Sequence, residues 1–250
     1  MGPGDAAWCF TGNIVGGGDG GGAGESRSPL ASLAPEQQRQ IELLLSQLEL
    51  DEHAPTRIRD VAHAMDGHVA DSLAALELDA VAHAGTLADL GSGSGFPGLA
   101  LAVALPAAEV CLVESQRRKC EFLQRLCAAA GVHNARVVCA RVEQWRDGIE
   151  RNDVVLARAL AAQSVVLEYA APLLRVDGTL VDWRGRRDAA DEAAAQKAGE
   201  LLGMARVDVL KVTPFEGATD RHLHVFVKAE ATPERFPRRP GIARKRPLGS

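Results

Sequence analysis

Apolar and polar positions divide the chain into distinct regimes. Between Leu33 and Leu50 apolar residues recur at helical spacing, with Ile41, Leu44, Leu45 and Leu48 on one face and Pro35 near the start. A second helical segment is expected from Asp60 to Leu78, its stripe formed by Val61, Met65, Val69, Leu73 and Leu76. From Thr86 onward short apolar runs alternate with helical stretches, which predicts a parallel sheet with crossover helices. The runs fall at 86–90, 109–114, 135–140, 153–157, 178–184, 206–213 and 221–228, with helices near 97–105, 116–130, 162–174 and 188–203. Only Pro214-Phe-Glu-Gly217 separates the last two runs, so these strands are expected to pair antiparallel. The pattern describes a doubly wound α/β sheet of seven strands behind an N-terminal helical extension.

Ahead of these elements, Gly16-Gly-Gly-Asp-Gly-Gly-Gly-Ala-Gly24 cannot bury enough surface to order itself. It has neither the basic start nor the apolar core of a secretory signal. Residues 1–32 are therefore read as a disordered leader, 33–80 as a helical cap, 81–228 as the sheet domain and 229–250 as a basic tail.

Composition narrows the partners. With 46% hydrophobic and 24% charged residues the chain reads as globular, and no apolar run approaches the ~20 residues of a membrane span. The net charge is −5, but it is unevenly placed. Lys228 to Ser250 holds seven basic and two acidic residues, a net +5, against −10 for the rest, which points to a polyanionic partner. The five cysteines (9, 111, 120, 127 and 139) are odd in number and lack C-x-x-C pairs, so no metal site is expected and a reduced, cytoplasmic setting fits. Cys120 and Cys127 share a helix face and read as small core residues. A monomer is the expectation.

The candidate chemistry begins at Asp89-Leu-Gly-Ser-Gly-Ser-Gly-Phe-Pro-Gly98, where a strand runs through a glycine turn into a helix. Such a turn brings backbone close to a nucleotide-like ligand. Two registers are open: Gly93-x-Gly95-x-x-Gly98 fits dinucleotide binding, and Asp89-x-Gly91-x-Gly93-x-Gly95 fits S-adenosylmethionine (SAM). Asp89 favours SAM, because a carboxylate there can serve the ligand's ammonium group and would be a liability beside a pyrophosphate. The fold class is then a Rossmann-like class I SAM-dependent methyltransferase. Glu114 ends the second strand 23 residues after Gly91, where an acid accepts hydrogen bonds from ribose hydroxyls. Ser115 is a plausible N-cap for the helix that follows, and Arg117, Arg118 and Lys119 read as its solvated face. In this fold adenine lies at the turn after the third strand, which gives Val142 the ring and Glu143 the exocyclic amine. Arg158 closes the fourth strand and is expected to face the crevice. His68 and Asp71, three apart on the second helix, read as a local hydrogen bond or a solvated pair.

Together, Asp89 to Gly98, Leu112-Val-Glu114, Arg141-Val-Glu143 and Arg158-Ala159 resemble the bacterial glucose-inhibited division protein B family, SAM-dependent 16S rRNA guanine-N7 methyltransferases. Thr56-Arg-Ile-Arg-Asp60, His68-Val-Ala-Asp-Ser-Leu73, Asp220-Arg-His-Leu223 and the end from Phe236 to Leu248 extend the resemblance over residues 35–248. It implies SAM contacts from Gly91, Phe96, Val142, Glu143 and Arg158. The family usually reads Asn-Leu-Thr where Ala54-Pro55-Thr56 stands, a basic residue at Gly67, and Lys-Gly at Arg184-Gly185.

Guanine N7 carries an in-plane lone pair, so its methylation needs no general base, and no Asn-Pro-Pro-Tyr-type motif follows the fourth strand. Catalysis is then mostly alignment, worth roughly 7–11 kcal/mol. Arginine commonly pairs with O6 and N7 of guanine together, which would block the nucleophile, so Arg158 is expected on SAM, on O6 alone or on a phosphate. Arg184, Arg238, Arg239, Arg244, Lys245 and Arg246 are the expected contacts to rRNA phosphates, the partner being 16S rRNA or the small ribosomal subunit.

Overall fold

The computed structural model describes residues 29–249 except His53, Arg57 and Arg59; the expected glycine-rich leader lies outside the described residues up to Ser28. Pro29–Ser32, assigned to that leader, instead forms a 3-10 turn. Helix α1 (Pro35–Leu50) buries Ile41, Leu44, Leu45 and Leu48, the face its periodicity predicts. Pro35 opens it, and the Gln37 side chain accepts from the Ala34 N–H.

The second helical segment is continuous in position and irregular in geometry. A short helix α2 (Val61–Ala64) passes into a π-helical turn (Met65–Ala70), then α3 (Asp71–Leu73) and a 3-10 turn (Ala74–Glu77). The wider turn rotates every later side chain, so the single predicted stripe breaks: Val69 and Leu73 are buried while Val61 is exposed. Helix α4 (Asp79–Ala82) leads to the sheet.

Seven strands follow: β1 (Thr86–Leu90), β2 (Glu109–Glu114), β3 (Ala135–Cys139), β4 (Asn152–Arg158), β5 (Leu174–Arg184), β6 (Met204–Lys211) and β7 (His222–Lys228). Their order is β3-β2-β1-β4-β5-β7-β6, and only β7 runs antiparallel to its neighbours. The crossovers are α5 (Gly98–Ala104), α6 (Arg117–Ala130), α7 (Gln163–Ala170) and α8 (Ala189–Leu202). Strand β5 starts four residues before its predicted start, and α7 ends correspondingly early.

Period-two alternation sends the strand side chains into two separate cores. Leu87, Leu112, Leu156 and Val181 join α1, the irregular segment, α5 and α6 on one face. Ala88, Val113, Val155 and Leu180 join α7 and α8 on the other. The second core also takes Phe236 and Ala243, so the residues after Lys228 are folded onto the domain, ending in α9 (Ile242–Lys245).

Candidate active site

The alternation explains where the residues of the glycine turn point. Asp89 lies two positions after Leu87, so its side chain is directed under α5, where Oδ2 accepts the Gly98 N–H at 3.1 Å. Burial pushes its carboxyl up to about 6, and the side chain is 1% exposed. This internal contact braces the turn from behind. Gly91, Gly93 and Gly95 all have positive φ (69°, 55° and 98°). At Gly93 a Cβ meets nothing nearer than the Gly91 carbonyl at 3.6 Å, so the constraint there is backbone conformation and its outer side stays open. Gly98 is different: a Cβ would fall 2.5 Å from Leu112 Cδ2, so that glycine serves packing of α5 on the sheet.

Glu114 closes against the same turn. Its Oε2 accepts the Gly93 N–H at 3.2 Å, and Oε1 accepts the Gln116 N–H at 2.8 Å and the Ser115 hydroxyl at 3.4 Å. Ser115 thus bonds the carboxylate, and the N-cap of α6 is Gln116, which makes no side-chain cap bond. A carboxylate held this way keeps one lone pair, on Oε2, for a further donor such as a ribose hydroxyl. Past β3, a 3-10 turn (Val142–Gln144) leaves Val142 half-buried and Glu143 buried. Glu143 Oε1 accepts the Gly241 N–H at 2.8 Å, so the residue expected at adenine also fastens the C-terminal segment.

Arg158 is the centre of the arrangement. It shares the face of Val154 and Leu156, under the irregular N-terminal segment. Nη1 donates to Asp71 Oδ2 at 2.9 Å and to the Gly67 carbonyl at 3.1 Å; Nη2 donates to the Phe96 carbonyl at 3.2 Å and meets His68 Nδ1 at 3.3 Å. The π-helical turn delivers Gly67 and His68, and Asp71 follows immediately. Trp183 Nε1 adds a bond to the Asp71 carbonyl at 2.9 Å. The expected solvated His68–Asp71 pair is thus two separate buried contacts on one guanidinium, and Arg158 clamps together the N-terminal segment, the glycine turn and β4. Phe96 takes part through its carbonyl and through its ring, stacked on His68 with centroids 5.1 Å apart.

The clamp fixes the histidine's protonation. Arg158 only donates, so Nδ1 accepts and Nε2 carries the hydrogen that faces Thr56 Oγ1 at 2.9 Å. Burial first, and then the Arg158 charge, push the His68 pKa down to about 4. The folded value lies below the free value near 6.5, so its stabilising effect is whole above that pH and is lost as pH falls toward 4. His68→Gln is expected to lose less stability than the parent between pH 7 and pH 4.5, by up to about 3 kcal/mol, read from denaturant melts at both pH values.

Beyond Arg158, a cavity of about 240 Å³ opens between Asp71, Ala159, Trp183, Arg184 and Arg221. Arg184 is held by Asp182 at 2.7 Å and by Asp191 at 3.5 Å, and it lines this cavity. Arg238 is likewise committed: it forks onto Glu168, with Nε 2.6 Å from Oε1, and also donates to the Arg246 carbonyl. Arg244 donates to the Leu160 carbonyl at 3.0 Å while remaining exposed, as do Arg239, Lys245 and Arg246. The sequence offers His68 and Asp71 only as partners of each other, and Glu168 and Arg221 not as partners at all. Glu168 had a signal, a lone acid in a helix whose every residue is buried.

No helix among the described residues is long and apolar enough to cross a membrane. The strand order, the antiparallel β7 and the glycine turn after β1 define a class I SAM-dependent methyltransferase fold. A SAM-dependent O-methyltransferase from Thermotoga maritima has the same fold, at a TM-score of 0.52 and 15% identity over 66% of each chain. The family described as rRNA small subunit methyltransferase G matches residues 38–224. The chain is 36% identical to "Ribosomal RNA small subunit methyltransferase G" of Synechococcus elongatus over 86% of its own length and 92% of the relative's. It is 37% identical to the protein of that name from Chloroflexus aggregans, with the same coverage of each chain. The protein belongs to the rRNA small subunit methyltransferase G family.

Proposed function

We propose that the protein transfers a methyl group from SAM to N7 of a guanine in small-subunit rRNA, acting in the cytoplasm. The observation that carries the cofactor half is the Gly93–Glu114 contact: an open glycine backbone at the end of β1 is locked to a strand-end carboxylate on β2. That donor and acceptor set fits SAM, with Gly91, Gly93 and Gly95 beside its methionine end, Glu114 on the ribose and Val142 and Glu143 at the adenine. Asp89 and Arg158 position this set through their internal contacts with Gly98 and the Phe96 carbonyl. Bound there, SAM supplies an electrophilic methyl group. The protein's part is to hold an unstacked guanine so that the N7 lone pair faces that group, and no proton has to leave N7 for the bond to form.

The rRNA half rests on family membership and on the exposed cations Arg239, Arg244, Lys245 and Arg246, which lie on the folded C-terminal segment beside Glu143 and Leu160. Transfer of tritiated SAM methyl to small subunits and to naked 16S rRNA from a strain lacking the gene tests the reading. Label is expected in one of the two as N7-methylguanine by mass mapping; no label in either overturns it.

A further inference from the structure

We propose that the cavity at the carboxyl ends of β4 and β5 receives the target guanine and that Asp71 reads its Watson–Crick edge. The inference rests on the guanine-N7 reading above and assigns its base specificity to a residue. Asp71 is 5% exposed, and Arg158 occupies only its Oδ2. Oδ1 has no hydrogen-bond partner among the described residues. The Arg221 Nε stands 3.7 Å from it, beyond hydrogen-bond length, and is itself unpartnered, as is Arg184 Nη2. Buried polar groups are normally paired. Here one acceptor and two donors, all on residues lining one cavity, make no hydrogen bond, Asp71 Oδ1 and Arg221 Nε meeting only as a long ion pair. They describe a ligand that presents both kinds of group.

Guanine is that ligand among the bases. N1–H and the N2 amino group are adjacent donors on the edge remote from N7, and a single carboxylate oxygen has two lone pairs to receive them. The O6 acceptor next to N1–H then falls to the guanidinium N–H of Arg221. Recognition on this edge leaves N7 unread and open to alkylation, which the common arginine fork onto O6 and N7 would prevent. An adenine turned the same way sets its N1 lone pair against the carboxylate. A phosphate sets anionic oxygens against it.

The test uses small subunits assembled on 16S rRNA ligated to carry guanine or inosine at the mapped methylation position; inosine lacks only the N2 amino group. With the parent protein, kcat/KM for inosine is expected to fall about tenfold to a hundredfold, the size of one hydrogen bond to a charged acceptor. Asp71→Asn keeps an oxygen for Arg158 and turns an amide N–H toward the base. It is expected to lose at least about a hundredfold on guanine, and to treat guanine and inosine alike within about twofold, because the residue and the amino group are coupled. SAM affinity by calorimetry stays within about twofold of the parent. Equal rates on guanine and inosine with the parent protein overturn the proposal without any variant being needed. So does an Asp71→Asn protein that keeps the parent's ratio, or one that binds subunits more tightly, as a phosphate site would. No transfer to either subunit is a distinct result and counts against the methyltransferase reading itself.

Discussion

Arg158→Ala is expected to lower the melting temperature by about 10 °C and to abolish methyl transfer. The guanidinium is mostly buried and satisfies Asp71, Gly67, Phe96 and His68 at once. Removing one partner of a buried ion pair leaves the other charge uncompensated, a loss of about 3–5 kcal/mol. For a domain of this size each kcal/mol moves the melting temperature by about 2–4 °C. The transfer loss follows from geometry: without the clamp, the end of the glycine turn is no longer tied to β4 or to the N-terminal segment. Arg158→Lys is expected to fare little better, since one ammonium cannot replace a fork with four acceptors on two segments. Calorimetric melts give the stability, and the tritium assay gives the transfer. The Arg158→Ala, Asp71→Ala double variant should recover part of the stability, because the orphaned carboxylate is gone, and none of the activity. A double variant as unstable as the sum of the singles would mean that the pair is not coupled.

The reach of the sequence is visible in the same residues. The strands were legible because their apolar runs are short and separated by helical stretches, and Glu114 was legible because a strand end after a glycine turn has one local meaning. Arg158 was legible as a strand-end residue, and alternation along Val154, Leu156 and Arg158 even fixes its face. Its partners were not, because Gly67, His68 and Asp71 come from a segment about ninety residues earlier, rotated by a π-helical turn that no periodicity announces. Asp89 shows the opposite case. The motif assigned it to a ligand, while its parity with Leu87 already placed it beneath α5. The C-terminal cations can be counted from the sequence, but charge patterning carries no information about which arginine meets a buried acid, as Arg238 meets Glu168.

That pairing makes the last prediction. Arg238→Ala is expected to destabilise the protein by about 3–5 kcal/mol, whereas Arg239→Ala, one residue away, is expected to leave stability unchanged within about 0.5 kcal/mol. Glu168 is 1% exposed on α7, and both of its carboxylate oxygens are bound by Arg238. Truncating the arginine strands that charge in the second core. It also removes the donor to the Arg246 carbonyl, a bond that shapes the segment whose Gly241 and Arg244 reach Glu143 and Leu160. Limited proteolysis should then cut after Lys228 in Arg238→Ala and spare the parent. SAM should bind more weakly as well, because the Glu143 carboxylate loses the Gly241 N–H that orients it. Arg239 is exposed, and its loss should appear only in rRNA affinity, with the salt dependence of binding reduced by about one phosphate contact. If Arg238→Ala melts like the parent and shows the salt effect instead, the two arginines have been assigned the wrong way round, and the segment is an RNA-binding tail after all.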